Sequence, residues 1–184
     1  MRRAIFLSLF LVTTLCFAET NSLQHLIAID TSWTLEGLEN EGMGWGMLLE
    51  YQLFPNWGAR LRHAVVETAK QAVGKRVVNT VSSLLVVFRP WATQNNWLQG
   101  WGLGTGFGYD EVLTSDLVSG AVADSFLLPF VDFSLSYQWR IGKFVIEPTV
   151  SVLLPFVDPN RSKTGIAMYT AHVDLEGITI GILF

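Results

Sequence analysis

From Gly100 to Asp110 the chain reads GWGLGTGFGYD, with glycine at 100, 102, 104, 106 and 108. Trp101, Leu103, Thr105, Phe107 and Tyr109 stand between them. A phosphate-cradling loop needs irregular glycine spacing between a strand and a helix. Here the period is two, the side-chain period of a strand. One face of this strand is mostly bulky and apolar, and the other is nearly bare. In a soluble sheet the bare face makes a poor core, so what surrounds the bulky face decides the fold.

The same period recurs in seven further segments. Leu23, His25, Ile27, Ile29, Thr31, Trp33 and Leu35 alternate with Gln24, Leu26, Ala28, Asp30, Ser32, Thr34 and Glu36. Met43 to Leu53 alternate with Gly42, Gly44, Gly46, Leu48, Glu50 and Gln52, and Trp57 to Val65 with Gly58, Arg60, Arg62 and Ala64. A fourth segment runs from Val78 to Phe88. Beyond the glycine row, Val131 to Trp139, Phe144 to Leu154 and Ile178 to Phe184 repeat the pattern. Eight segments result, each about long enough to cross a bilayer when tilted. An even number returns the chain to the side on which it began.

The start of the chain bears on where such a sheet is used. Arg2 and Arg3 precede the apolar run AIFLSLFLVTTLCFA, which reads as a secretory signal peptide over residues 1–18, cleaved before Glu19. A lipoprotein signal ending at Cys16 is the rival, weakened by the bulk of Leu15. Cys16 is the only cysteine, so residues 19–184 have neither a disulfide framework nor a cysteine metal site. Removing Arg2 and Arg3 from 12 basic residues leaves 10 against 16 acidic, a net charge of −6, which argues against a nucleic-acid partner. Half of the residues are hydrophobic, yet no later run has the length of a membrane helix. A soluble, lipocalin-like secreted barrel and a barrel in lipid remain, the latter being the one sheet architecture that lipid tolerates.

Aromatic placement favours lipid. Trp33, Trp45, Trp57, Trp97, Trp101 and Trp139 share the apolar parity near segment ends, as do Tyr51, Tyr109 and Tyr137. Indole and phenol rings prefer the boundary between hydrocarbon and headgroups. Eight inward rows of such side chains would overfill a lumen of this strand number. The expected fold is therefore all-β: an eight-stranded, antiparallel, up-and-down transmembrane barrel, multi-pass in the outer membrane of a diderm bacterium. Trp33, Trp45, Trp57, Trp101, Tyr137 and Trp139 are its expected interface aromatics, and the glycines face a crowded lumen. Connectors agree: PN, PWATQNN and IG alternate with the mostly longer EGLENE, ETAKQAVGK, DEVLTSDLVSGAVADS and DPNRSKTG. Short turns on the periplasmic side and longer outer loops are the usual asymmetry.

With LLEYQLFPNWGARL, GWGLGTGFGY, FVIEPTVSV and the terminal ITIGILF, residues 21–184 resemble the small eight-stranded outer-membrane barrels, the group holding the opacity-type and outer-membrane protein W families. The resemblance implies recognition of Phe184 by the barrel-insertion machinery. Two residues depart from the pattern. Asp174 and Glu176 have lipid parity, so lipid contact starts near Ile178 or a bulge shifts the register. Pro148 removes a ladder donor, and a local bulge is expected there.

Inward parity collects Asp30, Glu50, Arg60, Arg62, Arg89, Asp132, Arg140, Lys143 and Glu147. Glu50 is expected opposite Arg60 or Arg62, Arg140 opposite Lys143, and Ser136 opposite Glu147. Buried charges of this kind require partners, so an internal ionic plug is expected in place of a broad aqueous pore. Leu26, Leu48, Val66, Val81, Phe126, Leu128, Phe130 and Leu153 read as an apolar upper lumen. In the outer-membrane protein W family such a lumen implies passage of small hydrophobic solutes, which stands as the alternative to a structural or surface-interaction role. The sixteen-residue DEVLTSDLVSGAVADS connector is the candidate contact with host surface molecules. His25 and His63 have lipid parity and His172 flanks a connector, so neither a hydrolytic triad nor a metal site is expected. No enzyme activity and no cofactor follow from these residues.

Overall fold

The computed structural model describes residues 24–39, 42–70, 74–92, 97–156 and 172–184. The expected signal peptide and the DPNRSKTG connector lie outside the described residues. The strands are β1 (Leu26–Asp30), β2 (Gly42–Phe54), β3 (Trp57–Lys70), β4 (Lys75–Phe88), β5 (Trp101–Asp116), β6 (Val122–Tyr137), β7 (Trp139–Ile141), β8 (Phe144–Pro155) and β9 (His172–Leu183). A helix, α1 (Ser32–Glu39), follows β1, and a 3₁₀ turn (Trp97–Gly100) precedes β5.

All pairings are antiparallel and the sheet closes on itself. β1 pairs with both β2 and β9, and β6 with both β5 and β8. β6 and β7 form one barrel strand, because Ser136↔Thr149 and Trp139↔Ile146 keep a single register along β8. In that register Pro148, which has no N–H, stands opposite Tyr137, next to the break at Gln138. Eight strands therefore ring the lumen, as the alternation predicts.

The faces are inverted relative to a soluble barrel. Phe107 is 68% exposed and Leu84 60%, whereas Arg60 is 1% exposed and Glu147 0%. The buried charges lie inside, beside apolar residues such as Leu48, Leu85 and Phe130, and apolar side chains cover the wall, which is the arrangement a lipid solvent requires. Along β5, Trp101 and Tyr109 are eight residues apart. At ~3.4 Å per residue and a tilt of ~40° they lie about 20 Å apart in height, close to the apolar band of such barrels.

The glycine row answers to close approach. A Cβ on Gly102 would stand 2.4 Å from Arg89 Nη1, one on Gly104 2.3 Å from Ser134 Oγ, and one on Gly108 2.5 Å from the Phe130 ring. At Gly106 the obstacle is backbone: the Leu84 carbonyl oxygen at 2.0 Å and Leu85 Cα at 2.6 Å.

The first segment departs from expectation. Period two holds only to Asp30; Trp33 and Leu35 belong to α1 rather than to a strand. Asp30 Oδ1 accepts from the Ser32 hydroxyl and from Ser32 N (3.3 Å), while Thr31 O accepts from Thr34 N and Leu35 N. β2 makes room for the helix with its own glycines. A Cβ on Gly44 would fall 1.7 Å from Trp33 O, and one on Gly46 2.6 Å from the Trp33 ring. A short run with mixed parity fits helix and strand alike, and this packing decides between them.

The sixteen-residue connector is likewise mostly strand. β5 runs on to Asp116 and β6 restarts at Val122, which leaves a five-residue turn. Asp116 Oδ1 accepts from Ser119 N (2.7 Å), Ser119 Oγ (2.9 Å) and Val118 N (3.1 Å). These bonds, the Ser119 amide's first, hold the Asp116 carboxyl below the usual carboxylate range. Gly120 completes the turn at φ 69°. Among the described residues β6 pairs with β8 as far as Phe130↔Pro155 and with β5 as far as Ser115↔Val122.

Two register details differ as well. The β7–β8 turn uses Gly142, at φ 63°, and Lys143, so Arg140 pairs with Val145 and Ser136 with Thr149. The expected pairs are each displaced by two residues, which preserves every face. In β9 the register shifts by one between Gly177 and Asp174, and Asp174 pairs with Ser151. This bulge reverses the backbone parity upstream of Gly177. It lies beside Pro148 rather than on it.

Candidate functional site

Among the described residues the ion pairs of the lumen fall into two groups. Glu50 projects from β2, Arg60 from β3, Arg89 from the end of β4 and Glu147 from β8, all on inward parity. Arg60 donates to Glu50 Oε2 through Nε (2.9 Å) and again through Nη2. Its Nη2 also lies 2.6 Å from Glu147 Oε1, an ion pair outside hydrogen-bonding geometry. Arg89 Nη2 reaches Glu50 Oε2 at 3.0 Å and Glu147 Oε2 at 3.3 Å, and its Nε reaches Glu50 Oε1 at 3.2 Å. Each arginine thus contacts both glutamates. Gln138 Nε2 adds a 2.6 Å bond to Glu147 Oε2.

Arg62 organises the second group. It donates to Asp30 Oδ2 (3.1 Å) and Ser151 Oγ (3.2 Å) and lies 3.6 Å from Asp132 Oδ2. Glu50 therefore meets Arg60 rather than Arg62, since the β2–β3 register sets Glu50 opposite Arg60 and Leu48 opposite Arg62. Beside this group is a void of about 20 Å³, lined in part by Asp30, Arg62, Asp132 and Ser151. That is room for about one water molecule. At the end of the barrel that carries the first and last described residues, Gln24 and Phe184, a vestibule of about 410 Å³ opens over Glu50 and Arg89.

Of the residues expected in an apolar upper lumen, Leu128 and Phe130 are buried and Phe126 is half-buried. Leu26 and Leu48 lie elsewhere. Leu26 pairs with Leu183 and Glu50 near the chain-end rim, and with Leu48, Ala28, Val145 and Leu183 it forms a lower apolar cluster. Parity specifies a face but not a height; only the register supplies the second.

Trp45, Trp57, Trp101, Tyr137 and Trp139 lie on the outward face. Trp57 packs on Phe88 at 4.5 Å, and Tyr137 meets the edges of Trp101 (5.2 Å) and Trp139 (5.4 Å). Trp33 does not join them. Its ring stands against Gly46 inside the lumen and lines the small void with Arg62 and Phe130. His25 stacks on Tyr51 at 4.0 Å near Phe184, and His63 Nδ1 bonds Ser82 Oγ at 2.9 Å on the outer face. Among the described residues no three potential metal ligands cluster. Phe184 closes the seam, exchanging backbone bonds of 2.9 and 3.0 Å with His25. Sequence reasoning missed Gln138 and Ser151, although both have inward parity; neutral side chains do not announce themselves as members of an ionic group.

No family model matches the chain, and no curated protein matches it in sequence. Among solved structures it is similar to the N-terminal β-barrel domain of Pseudomonas aeruginosa OprF, at 9% identity and a TM-score of 0.56, over 89% of this chain and 98% of that one. A second likeness is to Ail, the attachment invasion locus protein of Yersinia pestis, solved with the heparin analogue sucrose octasulfate. It has 14% identity and a TM-score of 0.40, over 88% of this chain and 89% of that one. The fold is that of the small eight-stranded outer-membrane barrels.

Proposed function

We propose that this chain is an outer-membrane barrel without a broad aqueous pore, serving the envelope as a structural element and presenting the β5–β6 hairpin for surface contacts. The observation that carries this reading is the ionic group across the lumen. Arg60, Arg89, Glu50 and Glu147 are each at most 10% exposed on their side chains and join the adjacent strands β2–β4 to β8 across the lumen. Water and ions have to displace a neutral, mutually bonded set of charges to pass. The hairpin tip supports the second half of the proposal: Val118 is 96% exposed and Val122 62%, on a turn braced by Asp116.

Planar-bilayer recording tests the lumen. The purified full chain is expected to give no large, stable conductance, and such a conductance overturns the plugged reading. Small conductance blocked by apolar molecules, and altered by replacing Phe126 or Leu128, replaces it with passage of hydrophobic solutes. Membrane placement has its own test. Phe184→Asp puts a charge on the outward seam beside His25 and is expected to lower outer-membrane levels, with periplasmic or degraded material in their place. Fractionation showing unchanged levels rules out a role for Phe184 in insertion.

A further inference from the structure

We propose that the chain-end vestibule is a binding site for a small hydroxylated carboxylate, held by Arg140. This goes beyond the structural reading above and does not depend on it, since the vestibule lies outside the plug.

Around the vestibule and its floor stand three arginines (Arg60, Arg89 and Arg140) and two glutamates (Glu50 and Glu147), leaving one positive charge in excess. The excess is localised. Arg60, Arg62 and Arg89 each contact two carboxylates, whereas Arg140 contacts none among the described residues. Its partners are amide oxygens: Nε and Nη2 donate to Gln138 Oε1 (3.3 and 2.9 Å), and Nη1 donates to Gln24 Oε1 (2.9 Å). Amides orient the guanidinium without neutralising it. Three of its five N–H groups are used, which leaves two for a ligand.

Gln24 and Gln99 line the same vestibule, and Gln24 Nε2 and Gln99 Oε1 make no hydrogen bond among the described residues. A donor and an acceptor beside a cation suit a molecule that carries hydroxyl groups as well as an anion. About 410 Å³ is ample for a sugar acid and within the range of small-molecule sites. The charge number selects the anion. With one positive charge in excess and Glu50 in the floor, a monoanion is matched and a dianion is opposed. A carboxylate also fits the guanidinium fork.

The test uses the full chain in detergent micelles, titrated with galacturonate and followed through the Arg140 Nε–H and the side-chain amides of Gln24 and Gln138 by NMR. Galactose is the neutral control of similar shape, and inorganic phosphate the anion control. Saturable, millimolar shifts at these three residues are expected with galacturonate. Arg140→Gln is expected to weaken them about tenfold, the loss of one charge-assisted contact, and Arg140→Lys to retain part of the binding. Arg140 is at the exposed rim, so both variants are expected to keep the folded gel mobility. Equal binding of galactose, a preference for phosphate, undiminished binding to Arg140→Gln, or shifts confined to the β5–β6 hairpin each overturn the proposal.

Discussion

Replacing Glu147 with leucine is expected to cost the barrel about 3–5 kcal/mol, the usual penalty for stranding a buried charge. Glu147 is fully buried, and both Arg60 and Arg89 lie within 3.3 Å of its carboxylate. Its loss leaves two buried guanidinium groups sharing Glu50, and leaves the Gln138 amide without its acceptor. The arithmetic of the group predicts a rescue. Glu147→Leu combined with Arg89→Met removes one charge of each sign, so part of the loss is expected to return. Urea midpoints in detergent measure both. A single-variant loss below about 1 kcal/mol, the range of an exposed pair, shows that the lumen is wet enough to solvate the arginines and removes the argument for a plug.

The second large effect separates two glycines that look alike in sequence. Gly104 and Gly106 both face inward, and a Cβ on either meets an atom too close to accept. At Gly104 that atom is Ser134 Oγ, the end of a side chain that rotates away. At Gly106 it is the Leu84 carbonyl, and giving way means moving β4 against β5. Gly106→Ala is therefore expected to cost about 3 kcal/mol, the upper end of ordinary overpacking, and Gly104→Ala about 1 kcal/mol, the lower end. Urea midpoints and the fraction migrating as folded on unheated gels provide the comparison. Equal effects at the two positions sink the assignment of Gly106 to a backbone contact.

Much of the fold was legible because a strand has a period of two and lipid admits only one sense of alternation. The tryptophans and phenylalanines that alternate with glycine, serine and arginine state which face is which without any knowledge of neighbours. The same parity collected Asp30, Glu50, Arg60, Arg62, Arg89, Asp132 and Glu147 into one lumen. Membership of a face is a local property, and a local pattern is sufficient to read it.

Height and partnership are not local. Leu26 and Phe130 share a parity, but pairing with Leu183 places Leu26 at the chain-end rim. The sequence left Glu50 a choice between Arg60 and Arg62, and the β2–β3 register made it. The residues from Asp110 to Ser125 look like a polar loop, since Asp, Ser and Gly are poor strand formers. Pairing with β4, as in Asn79↔Val112 and Lys75↔Asp116, overrides that preference. Trp33 is the clearest case. Its parity assigns it to lipid, and the bare strip of Gly44 and Gly46 on β2 draws it inside as part of a helix. The sequence by itself determined that the chain closes an inverted barrel, because alternation needs only the next residue. Tertiary structure decided which charges meet, which aromatic turns inward and where the vestibule opens, because those depend on strands that adjoin in space and are far apart in the chain.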